Sequence, residues 1–189
     1  MTELEKYIQT YFSVTRDDLV KITDFFRPVT LRKGDYYLKA GRMSDRLGFV
    51  QSGIVREFAV RNDREVTKWI STKGYFVVDL ASFMFHIPAR WNIQALTDCE
   101  IYIIEADDYQ RIGQVVPGWT ELEKLFIARC FAVLEERIVT HLSMTAEERY
   151  NQLFSLNREL FNQVPLQYLA SMLGMTPETL SRQRKKASG

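Results

Sequence analysis

Hydrophobic residues change their spacing twice along this chain, and the changes divide it into three parts. Up to about residue 27 the apolar positions follow a helical period. Thr15 and Asp18 resemble the start of a capping box, and Leu19, Ile22, Phe25 and Phe26 then form one stripe. From 28 to about 107 the pattern shortens to β-branched and aromatic runs at 36–38, 47–51, 54–60, 66–70 and 100–104. Turn residues punctuate them at Lys33-Gly34-Asp35, Gly41, Ser52-Gly53, Arg61-Asn62-Asp63 and Lys73-Gly74. Strands spaced this way predict a β-sandwich or jelly roll. After residue 107 the helical period returns and holds.

The first helix of that last part is long, from about 118 to 143. Trp119, Leu122, Phe126, Cys130 and Val133 form one stripe, and Ile127, Phe131, Leu134, Ile138 and Leu142 form another. The two are offset by one residue, about 100° around the axis, so the apolar surface is wider than one half-buried face needs. Such a helix predicts two partners. One is its own β-domain, and the other is either the same helix of a second copy or a second domain of its own chain. Thr145 and Glu148 then form a capping box that opens a further helix through Leu153, Phe154 and Leu156.

The final segment reads as two short helices and a tight turn. Leu166, Leu169, Ala170 and Leu173 recur at i, i+3, i+4 and i+7, and Gly174 stands where a left-handed residue ends a helix. Thr176 offers an N-cap hydroxyl, Pro177 suits the first helical position, and Glu178 suits the positive end of the dipole. The second helix keeps Leu180 for the core. It presents Thr176, Glu178, Thr179, Ser181, Arg182, Arg184, Lys185 and Lys186, groups that bond base edges and phosphates. This is the outline of a helix-turn-helix with its second helix in a DNA major groove. A basic helical hairpin that binds protein is the alternative.

At these residues the chain resembles the cyclic-AMP receptor / fumarate-nitrate-reduction regulator (Crp/Fnr) family of bacterial transcription factors. Thr176-Pro-Glu-Thr-Leu-Ser-Arg182 is similar to the family's recognition-helix signature, and Glu178 and Arg182 occupy its two base-reading positions. Pro177 stands where the family often has Arg, and Gln183 where many members have an apolar residue. The resemblance implies an α+β chain in three parts. An effector domain at 1–117, a cyclic-nucleotide-binding-like jelly roll flanked by helices, leads into a dimerisation helix at 118–143. A helix-turn-helix domain at 144–189 follows. It further implies a homodimer held through Leu122, Phe126, Cys130 and Val133, double-stranded DNA and RNA polymerase as partners, and a small-molecule effector of unknown identity.

Against the family's phosphate-binding cassette the segment 74–95 departs. Members that bind cyclic nucleotides carry a Gly-Glu pair and, about ten residues on, an Arg that neutralises the buried phosphate. Here Val78 replaces the Gly and Asp79 the Glu. Ala89 takes the Arg position and Arg90 falls one place late, which in a strand points it to the opposite face unless an inserted loop residue restores it. Val78, Asp79, Leu80, Phe83, Arg90 and Trp91 are the candidate pocket residues. The expectation is that cyclic AMP does not bind usefully. The pocket then takes a less polar molecule or none.

Composition narrows the remaining classes. The chain has 189 residues, is 46% hydrophobic and carries a net charge of +1, so it can bury a substantial core and confines any basic surface to one element. Cys99 and Cys130 are too few for a four-cysteine iron–sulfur cluster, and His86 and His141 share no ligand spacing, so no metal or cofactor is expected. No phosphate loop, His-Glu-x-x-His, nucleophile elbow or triad is present. Asp107-Asp108 and Glu135-Glu136 read as solvated faces, and no enzyme is expected. The polar opening at 1–6 and the lack of any run of about 20 apolar residues predict a cytoplasmic protein with no membrane span.

Overall fold

The computed structural model describes residues 1–12 and 14–187. Two helices open the chain. In α1 (Glu3–Phe12) Leu4, Ile8 and Phe12 are buried at intervals of four, one face of a helix. Thr15 caps α2 (Arg16–Thr23) by accepting from the Asp18 N–H, while the shorter Asp18 carboxylate takes the Thr15 hydroxyl at 2.8 Å. The helical stretch expected up to residue 27 ends earlier. Arg27–Leu31 is the strand β1, whose exposed, weakly apolar RPVTL sequence gave no strand signal.

Seven more strands follow: β2 (Tyr36–Leu38), β3 (Arg46–Ser52), β4 (Val55–Arg61), β5 (Arg64–Ser71), β6 (Phe76–Val77), β7 (Asn92–Ala95) and β8 (Cys99–Glu105). They form two four-stranded sheets of order β1-β8-β3-β6 and β2-β7-β4-β5. The pairs β1·β8, β3·β8, β3·β6 and β2·β7 are antiparallel, with Phe49 opposite Tyr102 and Val50 opposite Ile101. The strands expected at 36–38, 47–51, 54–60, 66–70 and 100–104 all have counterparts. Gly53 ends β3 at φ +91, and a Cβ there would lie 2.5 Å from the Asp98 carbonyl, so only glycine makes that turn.

The period of two explains why β8 is apolar almost throughout. Cys99, Ile101 and Ile103 point to one face and join Tyr37, Leu38, Val50, Val55, Val77, Ala89, Ile93 and Ala95 in a core built from both sheets. Tyr102 and Ile104 point to the other face. There, with Leu47 and Phe49, they meet Leu4, Ile8, Phe12, Leu19 and Ile22 of the opening helices. One sheet is therefore buried on both sides. Two short helices, α3 (Leu80–Phe85) and α4 (Ala106–Val115), complete this part.

The remaining helices are α5 (Trp119–Ser143), α6 (Ala146–Leu156), α7 (Leu160–Gln163), α8 (Leu166–Met172) and α9 (Pro177–Ala187). Among the described residues, 1–57 and 70–129 form one compact unit, and 58–69 with 130–187 form a second. Among the described residues no helix is long and apolar enough to cross a membrane.

Candidate nucleic-acid interface and effector domain

The C-terminal hairpin is built by burying one face of each helix. Leu169, Ala170 and Leu173 of the first helix and its end, and Leu180 of α9, are all buried. Tyr150, Leu160, Phe161 and Val164 extend this core. The Tyr150 ring lies 5.3 Å from Phe161 and 5.6 Å from Phe154. Ala170 is wholly buried, as a close helix crossing requires. The capping box expected at Thr145 and Glu148 is complete: each side chain accepts the other residue's backbone N–H. The Thr145 N–H, and then its hydroxyl at 2.8 Å, hold the Glu148 carboxyl below the usual range.

The turn between α8 and α9 leaves four carbonyls at the end of α8 to satisfy. Met175 N–H bonds the Ala170 carbonyl and Gly174 N–H the Ser171 carbonyl, with Gly174 at φ +66, a Schellman arrangement. The other two carbonyls receive side chains. Arg137 donates to Met172 O at 3.1 Å, a nitrogen of His141 lies 3.2 Å from the same oxygen, and Arg149 donates to Leu173 O at 2.8 Å. Arg137 also sits 4.7 Å over the Trp69 ring. Ser171 reaches the hairpin tip at 58–69, where its hydroxyl accepts from Thr67 N–H at 2.9 Å and donates to Glu65 O at 3.4 Å. It satisfies two backbone groups of β5, which lies at a sheet edge. Arg137, His141, Arg149 and Ser171 carried no recognisable sequence signal, because a charged or polar helix residue gives no hint of a distant carbonyl.

On α9 the Thr176 hydroxyl accepts from Thr179 N–H at 3.2 Å, the cap expected there. Thr176, Glu178, Arg182, Arg184, Lys185 and Lys186 are exposed, and Thr179 and Ser181 are half-buried. Glu178 is held ionised below the usual carboxylate range by its own backbone N–H, then by the Thr176 hydroxyl and the Arg182 charge. Arg182 donates to the Thr179 hydroxyl at 3.3 Å, and Lys186 pairs with Glu147 at 3.4 Å. Glu178 and Arg182 thus offer an acceptor and a planar donor fork one turn apart on one solvent-facing side. Gln183 is half-buried, and its amide oxygen has no hydrogen-bond partner.

The six candidate pocket residues do not enclose one cavity. Asp79 is 2% exposed and is spent on structure: it caps α3 through Ser82 N–H at 3.2 Å and accepts Arg90 N–H at 2.7 Å. Phe83 and Val78 pack into the helix-covered core, with the Phe83 ring 5.3 Å from Tyr109. Leu80 and Arg90 face solvent and Trp91 is half-buried. Ala89 fills part of the inter-sheet core. A cavity of about 20 Å³ lies elsewhere, among Ile8, Phe12, Ile22, Phe76, Trp119 and Phe126. That is room for one water-sized particle in apolar surroundings. No group of three or more metal-ligating side chains occurs among the described residues.

The four candidate dimer residues also separate. Leu122 and Phe126 face the core of their own unit, Phe126 with its ring 5.4 Å from Phe12 and 5.2 Å from Phe76. Their stripe is taken up by α1 and β6, so they belong to no free surface. Cys130 is half-buried, and its burial pushes the thiol up. Val133 is exposed, together with Leu125, Phe131, Leu134, Ile138, Val139 and Leu142. The second sequence stripe, not the first, is the free one.

Residues 28–114 match the cyclic nucleotide-binding domain family. No curated protein matches the chain. Its fold is similar to that of FixK2 from Bradyrhizobium japonicum, at 17% identity and TM-score 0.71, covering 86% of this chain and 84% of that one. It is also similar to the c-di-GMP responsive global regulator CLP of Xanthomonas campestris, at 17% identity and TM-score 0.63, covering 92% of each chain. The catabolite activator protein of Thermus thermophilus is similar at 20% identity and TM-score 0.57, covering 93% of this chain and 84% of that one.

Proposed function

We propose that the chain is a DNA-binding transcriptional regulator of the Crp/Fnr type, acting as a cytoplasmic homodimer and not as an enzyme. The observation that carries this is the exposed Glu178–Arg182 pair on α9, a helix set on a turn whose last carbonyls are all bonded. Glu accepts from a cytosine amino group and Arg donates in bidentate fashion to guanine, so the pair discriminates bases where an all-basic helix would only hold phosphates. Arg184, Lys185 and Lys186 supply the phosphate contacts. The similar folds named above include proteins called a global regulator and a catabolite activator.

The free stripe of α5 joins two copies, and two-fold symmetric half-sites on the duplex follow from that pairing. A change in the β-domain reaches α9 through α5, because Arg137 and His141 of α5 bond the turn that carries the recognition helix. RNA polymerase is the downstream partner. Cyclic AMP is not the effector: Asp79 has its carboxylate committed to Ser82 and Arg90 backbone groups, Ala89 is buried, and the inter-sheet space is filled by Tyr37 and its neighbours. Binding to duplex DNA across a salt series tests the central reading. Sequence-specific binding that weakens steeply with salt supports it, and capture of protein partners without duplex binding would favour an adaptor.

A further inference from the structure

Within the second unit the ring of His141 lies between two backbone oxygens. Its Nδ1 is 3.0 Å from Arg137 O, one turn back on α5, and its Nε2 is 3.2 Å from Met172 O at the end of α8. A carbonyl oxygen only accepts, so each ring nitrogen bonds its neighbour only by donating. Neutral imidazole has one N–H and one lone pair, and either tautomer turns that lone pair onto a carbonyl oxygen. The imidazolium donates at both nitrogens and fits both partners. The ring also packs on the left-handed residue of the turn, where a Cβ on Gly174 would lie 3.4 Å from the His141 Cδ2.

Charges on the neighbouring elements bear on which form is held. Arg137 of α5 donates to the same Met172 O at 3.1 Å and lies over the Trp69 ring of β5. Arg149 of α6 donates to Leu173 O at 2.8 Å and to Met144 O at 2.6 Å. Both guanidiniums oppose a third positive charge, but each already has carbonyl partners of its own. In favour of that charge stand two oxygens in direct contact with the ring, one of them at the C-terminal end of α8, which attracts cations. Met172 O has two lone pairs, enough for Arg137 and His141 together. Hydrogen bonds from a charged donor are about twice as strong as neutral ones, so the direct contacts decide.

We propose that His141 is a positioning residue that holds the α8–α9 turn as an imidazolium, so that protonation of this one ring tightens the grip of α9 on duplex DNA. This rests on the DNA reading above and adds regulation by pH to it. Loss of the proton turns one ring contact from a bond into a repulsion and loosens the tie between α5 and the turn. The tie is complete in acid and weakens as pH rises through the imidazole titration, so affinity falls toward alkaline pH.

The chain has two histidines, and the other, His86, is exposed in the first unit. The test therefore compares wild type, His141→Gln and His86→Gln from about pH 5.5 to about 7.5, between the carboxylate and thiol ranges. Two quantities are read: affinity for a duplex selected from a random pool, and the urea midpoint of the full chain without DNA. Wild type and His86→Gln are expected to lose about three- to tenfold in affinity across the window, with a falling urea midpoint, while His141→Gln stays level in both. A His141→Gln profile parallel to wild type overturns the proposal even if the variant is weaker at every pH, because lost packing alone gives that result. Amide exchange on the wild-type chain needs no variant. Protection of Gly174 and Met175 N–H, which bond Ser171 O and Ala170 O, is expected to fall in step with loss of the His141 ring proton followed by nitrogen-15 NMR, after correction for base catalysis. Protection indifferent to that titration overturns the proposal. Duplex binding absent at every pH overturns the DNA reading and its regulation together, and the urea and exchange profiles then decide separately whether His141 holds the turn as an imidazolium.

Discussion

Glu178 and Arg182 stand one helical turn apart, and each is steadied by a threonine: Thr176 for the carboxylate, Thr179 for the guanidinium. Arg182→Ala is expected to cost about 1–3 kcal/mol on the cognate duplex and to relax base preference there. Lys185→Ala is expected to weaken all duplexes alike, and fluorescence anisotropy on cognate and scrambled DNA separates the two. Gly174 is the other residue with a narrow tolerance. Alanine at φ +66, with its Cβ 3.4 Å from the His141 ring, is expected to destabilise the second unit by about 1–2 kcal/mol, read from urea unfolding. Glu148 and Glu178 both titrate below their unfolded values when folded. Their caps therefore contribute above the ordinary carboxylate range and weaken as pH falls through the lower folded values. Glu148→Gln is expected to flatten the fall of Tm with pH below about pH 5.

At the scale of elements, what was legible followed a period or a cap. The alternation in 100–104 gave β8, and the continued Ile103-Ile104 pair reflects burial on both faces of its sheet. Thr145 with Glu148, and Gly174 followed by Thr176 and Pro177, marked their helix ends because those residues act through backbone groups close in sequence. The strands β1, β6 and β7 and the helices α3 and α4 were missed, being short or weakly apolar. Asp79 stands among the candidate pocket residues because its helix-capping partner Ser82 lies in an element with no sequence signal of its own. The orientation of α5 was illegible for a different reason. Both stripes are apolar, and only the tertiary placement of Phe12 and Phe76 decides that Phe126 turns inward while Phe131 stays out. On the proposed homodimer, Ile138→Glu is accordingly expected to break the pairing with the fold intact. Phe126→Ala is expected to cost about 2–4 kcal/mol of the first unit's stability, measured by urea unfolding.

At the scale of the molecule, the turn that carries α9 is tied to the C-terminal half of α5 by side chains on backbone carbonyls. Arg137 and His141 belong to α5, Arg149 to α6 and Ser171 to α8, and together they bond the turn and the 58–69 hairpin into one unit with α9. Any displacement of the C-terminal half of α5 is therefore carried to α9. The filled inter-sheet core and the committed Asp79 carboxylate argue against a buried cyclic phosphate as the source of that displacement. Calorimetric titration with cyclic AMP and cyclic GMP is expected to show no submicromolar binding.

Selection of bound duplexes from a random pool tests most directly whether α9 reads DNA. The wild-type chain is expected to enrich a two-fold symmetric sequence with half-sites about 10 base pairs apart, bound at least about a thousandfold more tightly than scrambled duplex at physiological salt. A pool that never converges, or equal affinity for enriched and scrambled sequences at every salt concentration, would contradict it.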